Sequence, residues 1–375
     1  MNLWSVVLSG VSRRMTTKTD STPSDPRIVA MRFQPAQLTR ARELRALTKT
    51  ELAERVQKTP SAISQFESGV SRPDAETIAR LALGLGVPVG FFAKPSGVLS
   101  IPIEGCHFRS SRSVSQYSRR QAVRIGELAQ ELTDFLEGEG IESPVEALTS
   151  LKRTVQTLDE IETLALDVRR AWGLGMGPIP RLVALLEGKG VRILPLINAC
   201  ADVDAFSVWH RGVPIVLLAP KAASRMHFDL AHELGHLLMH EDAEPGDAEL
   251  ERQADSFASA FLLPQDSFLD ECPARWRLST FQALKKRWFV SIQALVVRAH
   301  RLGRLSPASY RRAFVELNQL GLRRNEPDEW MFEQPVVLRK SIELVGVDWP
   351  LEKIAAVLSL HESHLREVLT PVLSG

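Results

Sequence analysis

The chain has 375 residues, 44% hydrophobic and 24% charged, with a net charge of +1, which excludes a disordered or low-complexity polymer and suits about two domains. No apolar run approaches the roughly 18 residues of a membrane-spanning helix, so no membrane partner is expected. The charge is uneven, with 14 Lys/Arg against 8 Asp/Glu in residues 1–96 and 32 against 37 in the remainder. A basic head on a slightly acidic body suits a nucleic-acid-facing end joined to a protein-facing end.

Residues 1–32 read as a disordered extension. Met1 to Val11 is mildly apolar, but Arg13 and Arg14 follow that stretch instead of preceding it, and no small-x-small cleavage site appears. An over-long translation start is the expectation, not an export signal. Cys106, Cys200 and Cys272 are far apart, odd in number and in no Cys-x-x-Cys spacing. They read as reduced thiols of a cytoplasmic protein.

Residues 33–95 alternate short helical patterns with tight breaks. Helices are predicted over 36–47, with Leu38, Ala41, Leu44 and Leu47 on one side, and over 49–56, with Leu52, Ala53 and Val56. Thr59 caps a third, with Pro60 at its first position, where a missing N–H costs nothing. That helix runs to Glu67, before Gly69. A fourth over 75–85 and the pair Phe91 and Phe92 close the domain. Ile63 and Phe66 point inward and Ser61, Ser64 and Gln65 outward, the proportion of a helix-turn-helix whose second helix enters the major groove of double-stranded DNA. A domain used only for dimerisation or for gripping another repressor is the alternative.

Residues 96–157 read as linker and helical connector, with a helix over about 116–137. The cluster Arg109, Arg112, Arg119, Arg120 and Arg124 reads as a solvated helix face in preference to a nucleic-acid contact. Helices follow over 159–172 and 181–187, then strands over 191–196, 205–210 and 214–218, the last apolar on both faces.

The run His232-Glu-Leu-Gly-His236 carries the most chemistry. Its flanks lack Gly and Pro and extend it into a helix, on which residues i and i+4 share a face. His232 and His236 then offer two imidazole nitrogens to one divalent metal, with Glu233 beside them to take a proton from water. Zinc needs a third protein ligand and an open position. A second helix, 248–263, places Glu251 and Asp255 on one face before Pro264 stops it. Glu251 is the candidate carboxylate ligand, and Asp255 the acceptor that fixes a histidine tautomer. His240 completes His-Glu-x-x-His-x-x-x-His, a spacing we do not read as a ligand. An oxyanion stabiliser is also wanted, and His210, His227 and Arg225 are candidates between which the sequence does not choose.

The C-terminal residues 304–375 read as a helical extension. Pairs over 280–288 and 291–302, and over 351–358 and 362–369, repeat a helix-turn-helix proportion. The second pair has few basic residues and apolar spacing that favours packing or dimerising over DNA reading.

From Trp172-Gly-Leu-Gly through Pro214-Ile-Val-Leu-Leu, the run 227–240, Glu251-Arg-Gln-Ala-Asp255 and Phe261-Leu-Leu-Pro264, the chain resembles the ImmA/IrrE family of zinc metallopeptidases. Residues 33–95 resemble the XRE family of phage-repressor-like regulators. The resemblance implies an α+β, predominantly helical chain: a five-helix helix-turn-helix domain, then a zincin-like metallopeptidase domain over 158–303 with a small sheet, and a helical C-terminal extension. It implies Zn2+ (Mn2+ as an activating substitute) on His232, His236 and Glu251, with Glu233 as general base. By the regulator match, Pro60, Ser61 and Gln65 face base edges, Lys49 and Thr50 hold phosphate, and Thr59 and Ser64 belong to the same DNA-binding set. Gln65 has the bidentate amide suited to adenine. The implied activity is cleavage of a protein substrate, a helix-turn-helix repressor, to relieve repression after stress or DNA damage. A homodimer on two-fold operator DNA and a single-stranded DNA signal belong to the same expectation. A transcription factor whose metal domain is a sensor or latent, and an antitoxin-like binding module, are the alternatives.

Overall fold

A computed structural model describes residues 23–95, 116–196, 203–240 and 247–373. Arg109, Arg112, Cys106 and Cys200, with most of the expected extension, lie outside the described residues.

The N-terminal domain holds helices α1 Pro26–Met31, α2 Pro35–Leu44, α3 Lys49–Arg55, α4 Pro60–Glu67 and α5 Ala75–Leu85, closed by a 3-10 turn at Val89–Ala93. The expected boundary at residue 33 falls one helix late. Asp25 Oδ1 accepts from Arg27 N at 2.8 Å, Pro26 takes the first helical position, and Val29 is fully buried in the core. Asp-Pro was the legible start signal. Thr48 and Glu51 form a reciprocal cap on α3, and Asp74 Oδ1 accepts from Thr77 N at 2.7 Å to start α5. Gly86 ends α5 at φ +62, where a side chain would be strained.

Helix α6, Gln116–Gly138, docks directly on this domain. Val123, Leu128, Leu132 and Leu136 share a core with Leu38, Leu44 and Phe91. Gln121 Nε2 donates to Leu44 O at 2.9 Å. Arg40 lies 3.1 Å from Glu127 and 2.7 Å from Glu131, and Arg124 lies 2.8 Å from Glu43. Burial still pushes Glu127 above the usual carboxylate range, against Arg124 and Arg40. The solvated-face reading therefore fails for Arg124: its side chain is only 16% exposed and is spent on two carboxylates.

Short helices α7 Glu146–Thr149, α8 Leu158–Ala171 and α9 Leu182–Glu187 lead into strands β1 Arg192–Pro195, β2 Ala205–His210 and β3 Val213–Leu218. The order is β1-β3-β2, with β1 parallel and β2 antiparallel to β3. Alternate side chains enter different cores, as the two-residue period of a strand requires. Leu194, Ile215 and Leu217 join the core of α6. Ile193 and Val216 join a second core built on α10 Ala223–Met239, α11 Ala248–Leu262, α12 Gln265–Glu271, α13 Leu278–Trp288, α14 Ile292–Arg301 and α15 Pro307–Gln319.

The C-terminal extension is divided between both cores. Ala313 and Leu317 of α15 enter the second. Helices α16 Val337–Val345, α17 Leu351–Val357 and α18 Glu362–Leu373 return to the first through Leu338, Ile354 and Leu365. The last pair packs within the chain, in keeping with its few basic residues. Between α15 and α16, glutamates cap distant helices. Glu326 accepts from Ile292 N at 2.8 Å, Glu329 from Ser224 N at 2.8 Å, and Glu333 from Val183 N at 3.0 Å.

Two histidines are held neutral inside these cores. Burial pushes His227 down to about 4, against a hydrogen bond it donates to the Ile179 carbonyl. Burial also pushes His364 down to about 4, aided by the charges of Arg45 and His361. An unfolded histidine titrates near about 6.5, so between pH 4 and 6.5 the unfolded chain binds more protons. Stability is thus fully present above pH 6.5 and falls as pH drops to 4, by on the order of 3 kcal/mol per histidine. Urea unfolding at pH 7.5 and 5 checks this; His227→Phe is expected to flatten the dependence.

Candidate metal centre

Helices α10 and α11 cross at close range because Gly235 has no side chain. A Cβ there would meet Phe257 Cδ1 at 3.1 Å and Ala254 Cα at 3.3 Å. Glycine costs a helix interior about 0.5–1 kcal/mol, a cost accepted here for backbone approach. Strand β2 secures the other side of α10: Trp209 Nε1 donates to Leu237 O at 3.0 Å, and Ser207 Oγ to Glu233 O at 3.4 Å.

That crossing brings three donors together. His232, His236 and Glu251 each offer an atom within 4.8 Å of the others. His232 Nε2 and His236 Nε2 are 3.0 Å apart, and the Glu251 oxygens lie 3.4 Å from the first and 3.5 Å from the second. Tetrahedral zinc with bonds of about 2.0–2.1 Å would separate its ligand atoms by about 3.3–3.4 Å.

The hydrogen bonds behind the histidines define their tautomers. His232 Nδ1 lies 2.9 Å from Asp255 Oδ1, an obligate acceptor when ionised, so it carries the proton and leaves Nε2 as a lone pair. His236 Nδ1 lies 2.9 Å from His240 Nδ1, and His240 Nε2 lies 2.8 Å from Gln253 Oε1. A neutral His240 that donates to Gln253 must accept from His236, which again frees Nε2. Burial holds His240 below the ordinary histidine value, against its bond to Gln253, and so favours that neutral form. Two lone pairs facing each other at 3.0 Å repel unless a cation lies between them. The donor set fits a divalent metal.

Glu251 completes the balance. Burial works against its charge; protonated His232 and His236 would hold the carboxyl below the usual range, and with both Nε2 atoms unprotonated that cationic partner is left for a metal to supply. Glu233 is fully buried beside His232. The structure sets Asp255 against His232 Nδ1, the position the sequence reading gave it relative to a candidate ligand. The sequence did not supply the pair His240 and Gln253. Their signal was present in i+4 from His236 and i+2 from Glu251, but a tautomer chain needs a partner from another helix.

The three candidate oxyanion groups have partners elsewhere. His210 Nε2 lies 2.8 Å from Asp134, Arg225 donates to Arg323 O, and the His227 ring packs between Phe289 and Trp330. Asp255→Ala is expected to lower metal affinity about 10–100-fold with the fold intact. Competition with a chromophoric chelator measures it, and an unchanged affinity would remove the orienting role.

In the N-terminal domain Lys49, Thr50, Thr59, Pro60, Ser61 and Gln65 are exposed and Ser64 is half-buried. Thr59 Oγ1 accepts from Ala62 N at 3.2 Å, the expected cap. Lys49 Nζ lies 3.1 Å from Ser64 Oγ and 3.4 Å from Glu67, so two of the expected DNA contacts touch each other. No helix among the described residues is long and apolar enough to cross a membrane.

A family model for a helix-turn-helix domain matches residues 38–92, and one for an IrrE N-terminal-like domain matches residues 186–300. No curated protein matches the chain. The second match spans the whole donor set, from β1 through α14. The chain thus carries an XRE-type helix-turn-helix domain over 38–92 and an IrrE N-terminal-like, metallopeptidase-type domain over 186–300.

Proposed function

We propose that the protein is a DNA-binding regulator whose second domain is a zinc-dependent endopeptidase, with a helix-turn-helix repressor as its substrate. The observation that carries this reading is the convergence of His232 Nε2, His236 Nε2 and Glu251 behind matched tautomer partners. Zinc, when bound, supplies Lewis acidity and makes water a nucleophile near neutral pH. Glu233 takes the proton of the attacking water and returns it to the leaving amide nitrogen. Its buried setting favours that exchange by excluding bulk solvent. Asp255, His240 and Gln253 hold the two imidazoles in the one tautomer that can act. Strand β2 is the sheet edge beside α10, and an extended peptide pairs naturally with such an edge.

At the other end, α4 is the recognition helix. Pro60, Ser61, Ser64 and Gln65 face base edges, Thr59 caps the helix toward the backbone, and Lys49 with Thr50 holds phosphate. Gln65→Ala is expected to weaken specific operator binding by about 1–3 kcal/mol and leave non-specific binding unchanged. Electrophoretic titration against matched and scrambled duplexes reads both.

The reading is tested with purified protein, zinc and the helix-turn-helix repressor encoded beside its gene, followed by fragment mass spectrometry. One discrete cut, abolished by a chelator and restored by zinc, is the expected result. An intact repressor under these conditions favours the second reading, an operator-binding regulator whose metal domain senses without cutting.

A further inference from the structure

A cleft of about 960 Å³ opens beside the metal centre, lined by α10, α11, α14, α15 and the segment that follows α15. Arg225, Arg301, Arg323 and Arg324 all line it. It reaches the centre through Asp255, whose Oδ1 is the hydrogen-bond partner of His232.

The charges in this cleft do not balance. Its three carboxylates are already engaged: Lys221 pairs with both Asp204 and Asp229, and Asp255 is held by His232. The four arginines are not. Among the described residues none of them pairs with a carboxylate. Arg301 donates to Ser256 Oγ at 3.3 Å, Arg225 to Arg323 O, and the Arg323 guanidinium lies 5.7 Å from the centre of the Phe314 ring. By contrast Arg40 and Arg298 are spent on carboxylates, whereas Arg301, Arg323 and Arg324 stand exposed on the cleft wall. Four guanidiniums left without one, around a concave surface, make a site of positive potential.

We propose that this cleft docks an acidic segment of the protein substrate, next to the bond to be cut. The proposal rests on the peptidase reading and names what the substrate must carry. Apolar walls from Phe228, Ala294, Val297 and Phe314 alternate with the arginines. A peptide of mixed acidic and apolar side chains matches both. A nucleic-acid strand matches less well, because its charge recurs at every nucleotide and would meet Asp204, Asp229 and Asp255 in the same cleft. Docking here supplies substrate affinity and on-rate through charge.

The test uses full-length Glu233→Gln protein loaded with zinc, so that a bound peptide stays intact. Fluorescence anisotropy is followed with a short labelled peptide of glutamate, serine and leucine, its glutamine counterpart, and oligothymidine of equal length. The acidic peptide is expected to bind about tenfold tighter than the neutral one. Adding Arg301→Glu and Arg324→Glu should remove that margin, and Arg301→Gln with Arg324→Gln part of it. Unchanged operator binding certifies the fold of each variant. Equal affinity for the two peptides, or indifference to both arginine pairs, would overturn the proposal. So would oligothymidine binding tightest and being lost with the same arginines, which would make the cleft a nucleic-acid site. If the acidic peptide binds as expected while zinc-loaded wild type cuts no repressor, the peptidase reading fails and the docking cleft stands.

Discussion

Glu233→Gln is expected to lower the rate of repressor cleavage by about 10²–10⁴-fold while the protein keeps its full complement of metal. The substitution preserves size and removes the ability to accept a proton. Both histidines keep their partners, Asp255 behind His232 and His240 behind His236, so the candidate donor set is untouched. Metal content by mass spectrometry and single-turnover cleavage read the two effects separately. A variant that loses metal as well as activity would place Glu233 among the structural supports of the site. A variant that still cleaves would remove it from the mechanism.

The second large effect lies away from the donors, at Lys285. Its side chain is fully buried, with Nζ 3.0 Å from Glu326 Oε2 and 2.5 Å from Glu329 Oε1. Both glutamates also cap helices: Glu326 caps α14, and Glu329 accepts from Ser224 N and Oγ at the start of α10. Helix α10 lacks a cap of its own, since its N-cap residue is Ala222. Burial works against the charge of Glu329, yet Lys285 and Ser224 hold its carboxyl below the usual range. Lys285→Ala leaves this cluster without its cation and is expected to cost about 3–5 kcal/mol, or roughly 10 °C in Tm. Metal affinity should fall with it, because the frayed helix is the one that carries His232 and His236. Calorimetry with and without zinc checks both parts. A loss under about 1 kcal/mol would show that the cluster is dispensable.

The donor set was legible because its rules are local. Two histidines four apart on an uninterrupted helix share a face, and a carboxylate pair at the same spacing marks the facing helix. The strands were legible because Ile215, Val216 and Leu217 read as apolar on both faces, and each face has its own core. Helix α4 was legible from Thr59 and Pro60.

What escaped the sequence depends on partners far away in the chain. The tautomer chain through His240 ends on Gln253, which sits on the opposite helix. The cap of α10 comes from Glu329, 105 residues away. The charge surplus of residues 1–96 overstated the DNA-facing character. Arg40 is spent on α6, Arg42 donates to Glu67, and Arg45 donates to Leu85 O. The helix over about 116–137 was legible, but its docking was not: the amphipathic face of α6 continues the core of the N-terminal domain. Residues 26–31 fell inside the expected extension, whereas Val29 carries α1 into the core.

Zinc content after exhaustive dialysis, compared between wild type and His236→Ala, tests the centre most directly. We expect close to one equivalent of zinc in wild type and almost none in the variant, with operator binding preserved in both. A wild-type protein that takes up no zinc, or a His236→Ala protein that retains it, would contradict the metal centre on which the account depends.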